Sequence, residues 1–173
     1  MQNQLSNFIL IISSYIISVA ILFSIPFRSK SIKSKTGKLI EKLSEKNNVI
    51  QYVIIVSGFV LISILFIRDF GFLYNAVVCL VGILGIFMSS QEIVLYKKSG
   101  IYEKGIIANA KFLTFSEIYS VPVLNLDESE QQKNSGTELK VIRKKGAALN
   151  FVFDSPEEKN KVLAVLKSKI KNR

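Results

Sequence analysis

The chain has 173 residues, of which 49% are hydrophobic, and carries 23 Lys and Arg against 13 Asp and Glu, with no His and a single Cys. That length leaves room for about one ordinary domain. A lone cysteine excludes a disulfide framework, and the lack of histidine removes the commonest general base and metal ligand.

The apolar residues crowd into the first 90 positions and the charged ones into the remainder, which gives a membrane domain, 1–90, and a second domain, 91–173. Three segments lack Lys, Arg, Asp and Glu over 18 to 21 residues: "FILIISSYIISVAILFSI", "VIQYVIIVSGFVLISILFI" and "FGFLYNAVVCLVGILGIFMSS". At about 1.5 Å per residue each reaches the roughly 30 Å of a hydrocarbon core, so transmembrane helices are expected at about 8–27, 49–67 and 70–90. The first has no basic flank, an overlong apolar run and no small-x-small cleavage pattern, and is expected to be retained rather than cleaved.

Between the first two spans, the loop 28–48 holds seven basic residues, Arg28, Lys30, Lys33, Lys35, Lys38, Lys42 and Lys46, against Glu41 and Glu45. The second connection has only Arg68 and Asp69, and the tail from Gln91 has fifteen basic against ten acidic residues. Positive charge stays inside, so the N-terminus and the Arg68–Asp69 turn are expected outside, with the loop and the tail cytoplasmic. Ile32, Thr36, Leu39, Ile40 and Leu43 recur at helical spacing, which predicts a short amphipathic helix on the inner leaflet, with Gly37 counting against it. Each basic residue beside an anionic leaflet contributes on the order of 1 kcal/mol, making Arg28, Lys30, Lys33, Lys35 and Lys38 candidate lipid contacts.

"RDFG" is short enough to make the second and third spans an antiparallel hairpin eased by Gly71. Ser14, Ser18, Gly58, Gly82 and Gly85 offer close-packing positions, and Tyr15, Tyr52 and Tyr74 offer interfacial ones. No charged group lies within the three spans, and Asn75 and Cys79 read as structural. Transport chemistry has no obvious carrier here.

The tail reads as an antiparallel meander. Glu103-Lys104-Gly105 and Asn109-Ala110 are turns between "IYE", "GIIA" and "KFLTF", and "EIYSVPVLNL" is a further strand with Pro122 at an edge or bulge. The segment 127–136 is polar and reads as a mobile loop. "TELKVIRKK" and "ALNFVF" alternate about a Lys145-Gly146 turn. A helix over about 155–171 follows. Ser155 is its N-cap, Pro156 opens it, Glu158 occupies the capping-box position, and Val162, Leu163, Leu166 and Ile170 form its apolar stripe, with Lys159, Lys161, Lys167 and Lys171 off the stripe.

"GIYEKGI", "KFLTFSEI" and "LKVIRKK...FVF...EEKNKVLAVLK" resemble the C-terminal part of small bacterial membrane proteins with a PH-like domain of unknown function, the bacterial PH and YcxB-like groups. Family members often carry Trp where Phe115 stands. The resemblance covers 91–173 and implies an α+β chain: three transmembrane helices, then a small cytoplasmic PH-like antiparallel β domain closed by a C-terminal helix, in a bacterial inner membrane. It brings no catalytic residue and no cofactor. Eukaryotic PH domains hold phosphoinositides at the first hairpin, whereas the triplet Arg143, Lys144 and Lys145 falls at the last, so its expected partner is the anionic leaflet at large.

The absence of catalytic motifs predicts no enzyme and no metal site. Half of the net charge of +10 comes from the first loop, so membrane topology explains the basicity without nucleic acid. The expected function is a membrane-tethered binding or scaffolding module with a protein partner or a second copy of itself. A transporter accessory subunit is the alternative.

Overall fold

In the computed structural model the described residues are 2–45, 47–68, 70–125 and 136–171. They form a mixed structure of helix and antiparallel sheet that divides into two compact units, residues 1–30 with 47–94 and residues 31–46 with 95–173. The first unit holds three helices long and apolar enough to cross a membrane, over Gln4–Phe23, Val49–Ile67 and Phe72–Tyr96.

Helix α1 (Gln2–Phe23) ends four residues earlier than the expected span, and α2 (Ile25–Thr36) starts after a break at Ser24. Pro26 has no N–H to donate to the preceding turn, and the Ser24 hydroxyl donates instead to the Ile21 carbonyl at 2.6 Å, competing with the helix ladder. Helix α3 (Val49–Ile67) matches its expected bounds, while α4 (Phe72–Tyr96) runs six residues beyond 90. Gly71 adopts φ +89, the left-handed turn expected of it, and the Phe70 N–H donates to Asn75 Oδ1 at 3.4 Å. Asn75 is fully buried and ties off the hairpin turn. Asp69 lies outside the described residues.

Close packing holds this unit together. A Cβ on Gly82 would lie 3.1 Å from the Gly58 carbonyl oxygen, and one on Gly58 would lie 3.0 Å from that of Gly82, so α3 and α4 cross backbone to backbone. Gly85 is different: its nearest neighbour, Ile54, would be 3.5 Å away. Ser14 and Ser18 are buried on α1, each returning its hydroxyl to a carbonyl four residues back. The Tyr15 hydroxyl bonds the Ser63 hydroxyl, and its ring packs against Phe59 and Phe66, so this tyrosine joins helices rather than marking an interface. Tyr52 and Tyr74 are exposed. Cys79 is buried and free.

Among its described residues the second unit holds seven strands, the end of α2, two 3₁₀ turns and a C-terminal helix. Strands β1 (Leu39–Lys42), β2 (Gly100–Tyr102), β3 (Gly105–Ala108) and β4 (Lys111–Thr114) form an antiparallel sheet in the order β1-β2-β3-β4. Strands β5 (Ile118–Ser120), β6 (Glu138–Arg143) and β7 (Leu149–Val152) form a second, in the order β5-β6-β7. The β3–β4 turn places Asn109 and Ala110 at φ 50 and 53, the two left-handed residues of a tight hairpin. Gly146 turns at φ 88 between β6 and β7. After Ser120 the expected long strand becomes a 3₁₀ turn, Pro122–Asn125, because proline has no N–H for a ladder. The polar loop at 127–136 lies outside the described residues except for Gly136.

The expected amphipathic helix through Leu43 is a correction. Gly37 takes φ +79 and ends α2, and a Cβ there would lie 2.8 Å from Glu103 Oε2, so the chain turns and 39–42 becomes a strand. The loop between the first two apolar helices thereby supplies the first strand of the sheet. Hydrogen bonds from Leu43 N to Ser99 O, Glu103 N to Lys38 O and Lys104 N to Thr36 O fix it there.

Helix α5 (Pro156–Lys171) closes the core. Val162 and Leu166 are buried with Leu43, Leu113, Leu139 and Phe151 in one apolar cluster. Ser155 Oγ accepts from Glu158 N–H at 3.2 Å as the expected N-cap, but Glu158 does not complete a capping box. Its Oε1 accepts instead from the backbone N–H of Ser44 at 2.7 Å and the Ser44 hydroxyl at 2.5 Å. Lys159 is also a correction: it is 3% exposed and donates from Nζ to the Gly136 carbonyl at 2.7 Å. Positions 159, 162 and 166 are spaced i, i+3, i+7, which puts this lysine on the buried stripe.

Candidate functional site

The basic residues proposed for lipid contact fall into separate places. Arg28 is half-buried in the first unit, where its guanidinium donates to Ser90 Oγ at 3.1 Å and stands 4.8 Å over the Phe87 ring. This cation is committed to helix packing and is not a free surface charge. Lys30, Lys33 and Lys35 are exposed along α2, and Lys38 is exposed just before β1. Thr36 is buried and Ile32 half-buried, so the lysines occupy the outer surface of α2. The backbone N–H of Lys38 donates to Glu103 Oε2 at 3.1 Å, which fixes the start of β1.

Arg143, Lys144 and Lys145 lie at the β6–β7 turn of the other sheet. Arg143 Nε donates to the Ala147 carbonyl at 2.9 Å, the Lys144 N–H donates to the Glu117 carbonyl at 2.8 Å, and the side chains of Lys144 and Lys145 are exposed. Arg143 thus braces its own turn. The loop lysines lie on α2 and just before β1 while the triplet lies at the β6–β7 turn, and no hydrogen bond or strand pairing among the described residues joins them.

Three carboxylates whose partners sequence reasoning missed do the positioning. Glu103 holds the α2–β1 junction, Glu158 holds Ser44, and Glu41 pairs with Lys161 at 2.7 Å. Hydrogen bonding and attraction to Glu41 raise the Lys161 pKa above its ordinary value, and Glu45, at 2.8 Å, does the same for Lys42. Burial lowers the Lys159 pKa and raises that of Tyr102, whose hydroxyl donates to the Lys98 carbonyl at 2.7 Å. The sequence signal for the partners of Glu103, Glu158 and Glu41 was weak, because each of these three pairs is far apart in the chain.

The cleft between Ser44, Asn109, Asp154 and Glu158 holds only about 10 Å³, the room of one water molecule. A concavity of about 310 Å³ on α3 is lined by Val49, Tyr52, Val53, Val56 and Ser57 and has no charged group. At the start of α3, Gln51 Nε2 donates to Glu92 Oε2 at 3.0 Å. Among the described residues no group of three His, Cys, Asp or Glu is placed to hold a metal ion. Lys33, Lys35, Lys38 and Lys42 in the segment 33–42 are exposed and line no pocket described above. No protein-family model, curated protein or solved structure matches the chain.

Proposed function

We propose that this chain is a non-catalytic binding or scaffolding module, tethered by three transmembrane helices and presenting a PH-like domain at the cytoplasmic face of a bacterial inner membrane. One observation carries the reading. Helices α3 and α4 are inserted in the chain between β1 and β2, two neighbouring strands of one sheet. A hairpin of two spans leaves and re-enters on the same side, so a sheet containing both ends is compatible with two crossings and with no odd number of them. The excess of lysine in the first loop and the tail assigns that side to the cytoplasm. With α1 as a third span, the N-terminus lies outside.

Two antiparallel sheets of four and three strands, closed by one C-terminal helix, support the PH-like reading and the affinity with the bacterial PH and YcxB-like groups. The chain's lack of histidine supports a binding role over a catalytic one. The partner is a cytoplasmic protein or a second copy of the chain, met at the exposed surface of the sheet domain.

Crosslinking in intact cells from positions across the second unit, read by mass spectrometry, tests this. A reproducible protein partner or self-complex is expected. Recovery of neither, together with solute flux in vesicles carrying the purified chain, would overturn the module in favour of a transporter subunit. Digestion of the C-terminal unit by protease outside intact cells would overturn the topology.

A further inference from the structure

The first strand carries a feature that its structural role does not explain. Among the described residues of the second unit, four large hydrophobic side chains are well exposed: Leu39 at 51%, Ile40 at 56%, Tyr119 at 71% and Val152 at 40%. Leu39 and Ile40 are adjacent and lie on β1, at the edge of the four-stranded sheet. Side chains along a regular strand alternate between faces, so two neighbours seldom share one exposure. Here Leu39 pairs with Tyr102 and Glu41 with Ile101, leaving Ile40 without a partner in the register. Such a bulge re-aims a side chain, and it turns two consecutive apolar residues outward.

The surroundings of this pair are cationic. Glu41 is engaged by Lys161 and Glu45 by Lys42, each within 2.8 Å. Lys33, Lys35 and Lys38 are exposed and have no ion pair among the described residues. Two apolar side chains close in the chain to three ammonium groups without an ion pair, with the one carboxylate at this junction, Glu103, held by the Lys38 N–H, match the glycerol and phosphate levels of an anionic bilayer. A partner strand is a poorer match, because a bulge and flanking lysines are the devices by which sheet edges resist strand addition. The chain also limits the reach: six residues, 43–48, join β1 to α3, an extended length of at most about 25 Å.

We propose that β1 is a second membrane contact, in which Leu39 and Ile40 enter the interfacial layer of the inner leaflet while Lys33, Lys35 and Lys38 bind its anionic headgroups. The proposal rests on the membrane-tethered reading and adds to it a fixed orientation of the sheet domain, with its β1 edge against lipid.

The test uses the full chain in a Cys79→Ala background, reconstituted in vesicles of phosphatidylethanolamine with phosphatidylglycerol, with a nitroxide on Ile40→Cys. Greater collision with oxygen than with a water-soluble nickel chelate is expected at position 40, and the reverse at Tyr119→Cys. Replacing the anionic lipid with phosphatidylcholine, or making Lys33→Gln, Lys35→Gln and Lys38→Gln together, should lower the docked-to-free ratio on the order of 10- to 100-fold. A label at 40 as water-exposed as that at 119 would overturn the proposal, as would spin–spin broadening at 40 that reports a second copy paired there. A label on Val53→Cys of α3 separates the premises. Lipid exposure at 53 with water at 40 sinks the β1 contact alone, whereas water at 53 sinks the tethered reading and the contact with it. Should Ile40→Cys not fold, Leu39→Cys provides the same depth reading.

Discussion

Removing residues 31–46 should cripple the sheet domain even though they lie outside its contiguous sequence. A fragment of residues 95–173 loses β1, its hydrogen bonds to β2 and the side chain of Leu43, which is 4% exposed. Burying a leucine is worth about 2 kcal/mol, and the bonds from Ser44 to Glu158, at an exposed site, add about 1 kcal/mol. A loss of about 3 kcal/mol is a large part of the 5 kcal/mol or so expected of a small domain. The comparison is a single chain in which a Gly/Ser linker joins 31–46 directly to 95–173. With a urea slope near 1.5 kcal/mol per molar, the fragment should unfold about 2 M earlier than the linked chain, followed by circular dichroism. Coincident midpoints would show that β1 is an ornament of the sheet, and would refute the claim that the loop completes the fold.

Other outcomes follow from single contacts. Gly82→Val should weaken the α3–α4 hairpin by about 1–3 kcal/mol, since its side chain meets the Gly58 carbonyl and Ile62, while Gly85→Ala should be nearly silent; thermal aggregation in detergent compares them. Ser155→Ala should cost about 1 kcal/mol in urea unfolding of the linked chain, through loss of the α5 cap. Burial raises the folded-state pKa of Tyr102 above the ordinary 10.0, so its contribution is complete below pH 10 and is lost as pH climbs through the folded value. The stability difference between the parent and Tyr102→Phe should therefore be flat to pH 10 and shrink above it, as measured by urea midpoints across that range.

Much of the architecture was legible because it rests on local chemistry. Three charge-free runs, the Asn109-Ala110 turn, the alternation through Leu139, Val141 and Phe151, and the Ser155 cap all act within a few residues. The helix expected through Leu43 failed because 32, 36, 39, 40 and 43 fit a helical period, while Gly37 and a strand partner more than fifty residues away decided the outcome. The same distance hid Glu103, Glu158 and Glu41 as positioning groups. Lys159 was readable from its spacing to Val162 and Leu166, and its charge obscured a stripe position whose ammonium finds a carbonyl. At the candidate site the lysines were visible as composition. The bulge that exposes Ile40 beside them exists only in the register of two strands.

The interruption of the sheet by a helical hairpin also imposes a schedule on synthesis. Fifty-seven residues, 43–99, separate β1 from the strand it pairs with. At about 5–20 residues per second, β1 waits roughly 3 to 11 s after emerging from the ribosome before β2 exists. Throughout that interval Leu39, Ile40 and Leu43 have no sheet to join, and the domain closes only after both hairpin helices have been made.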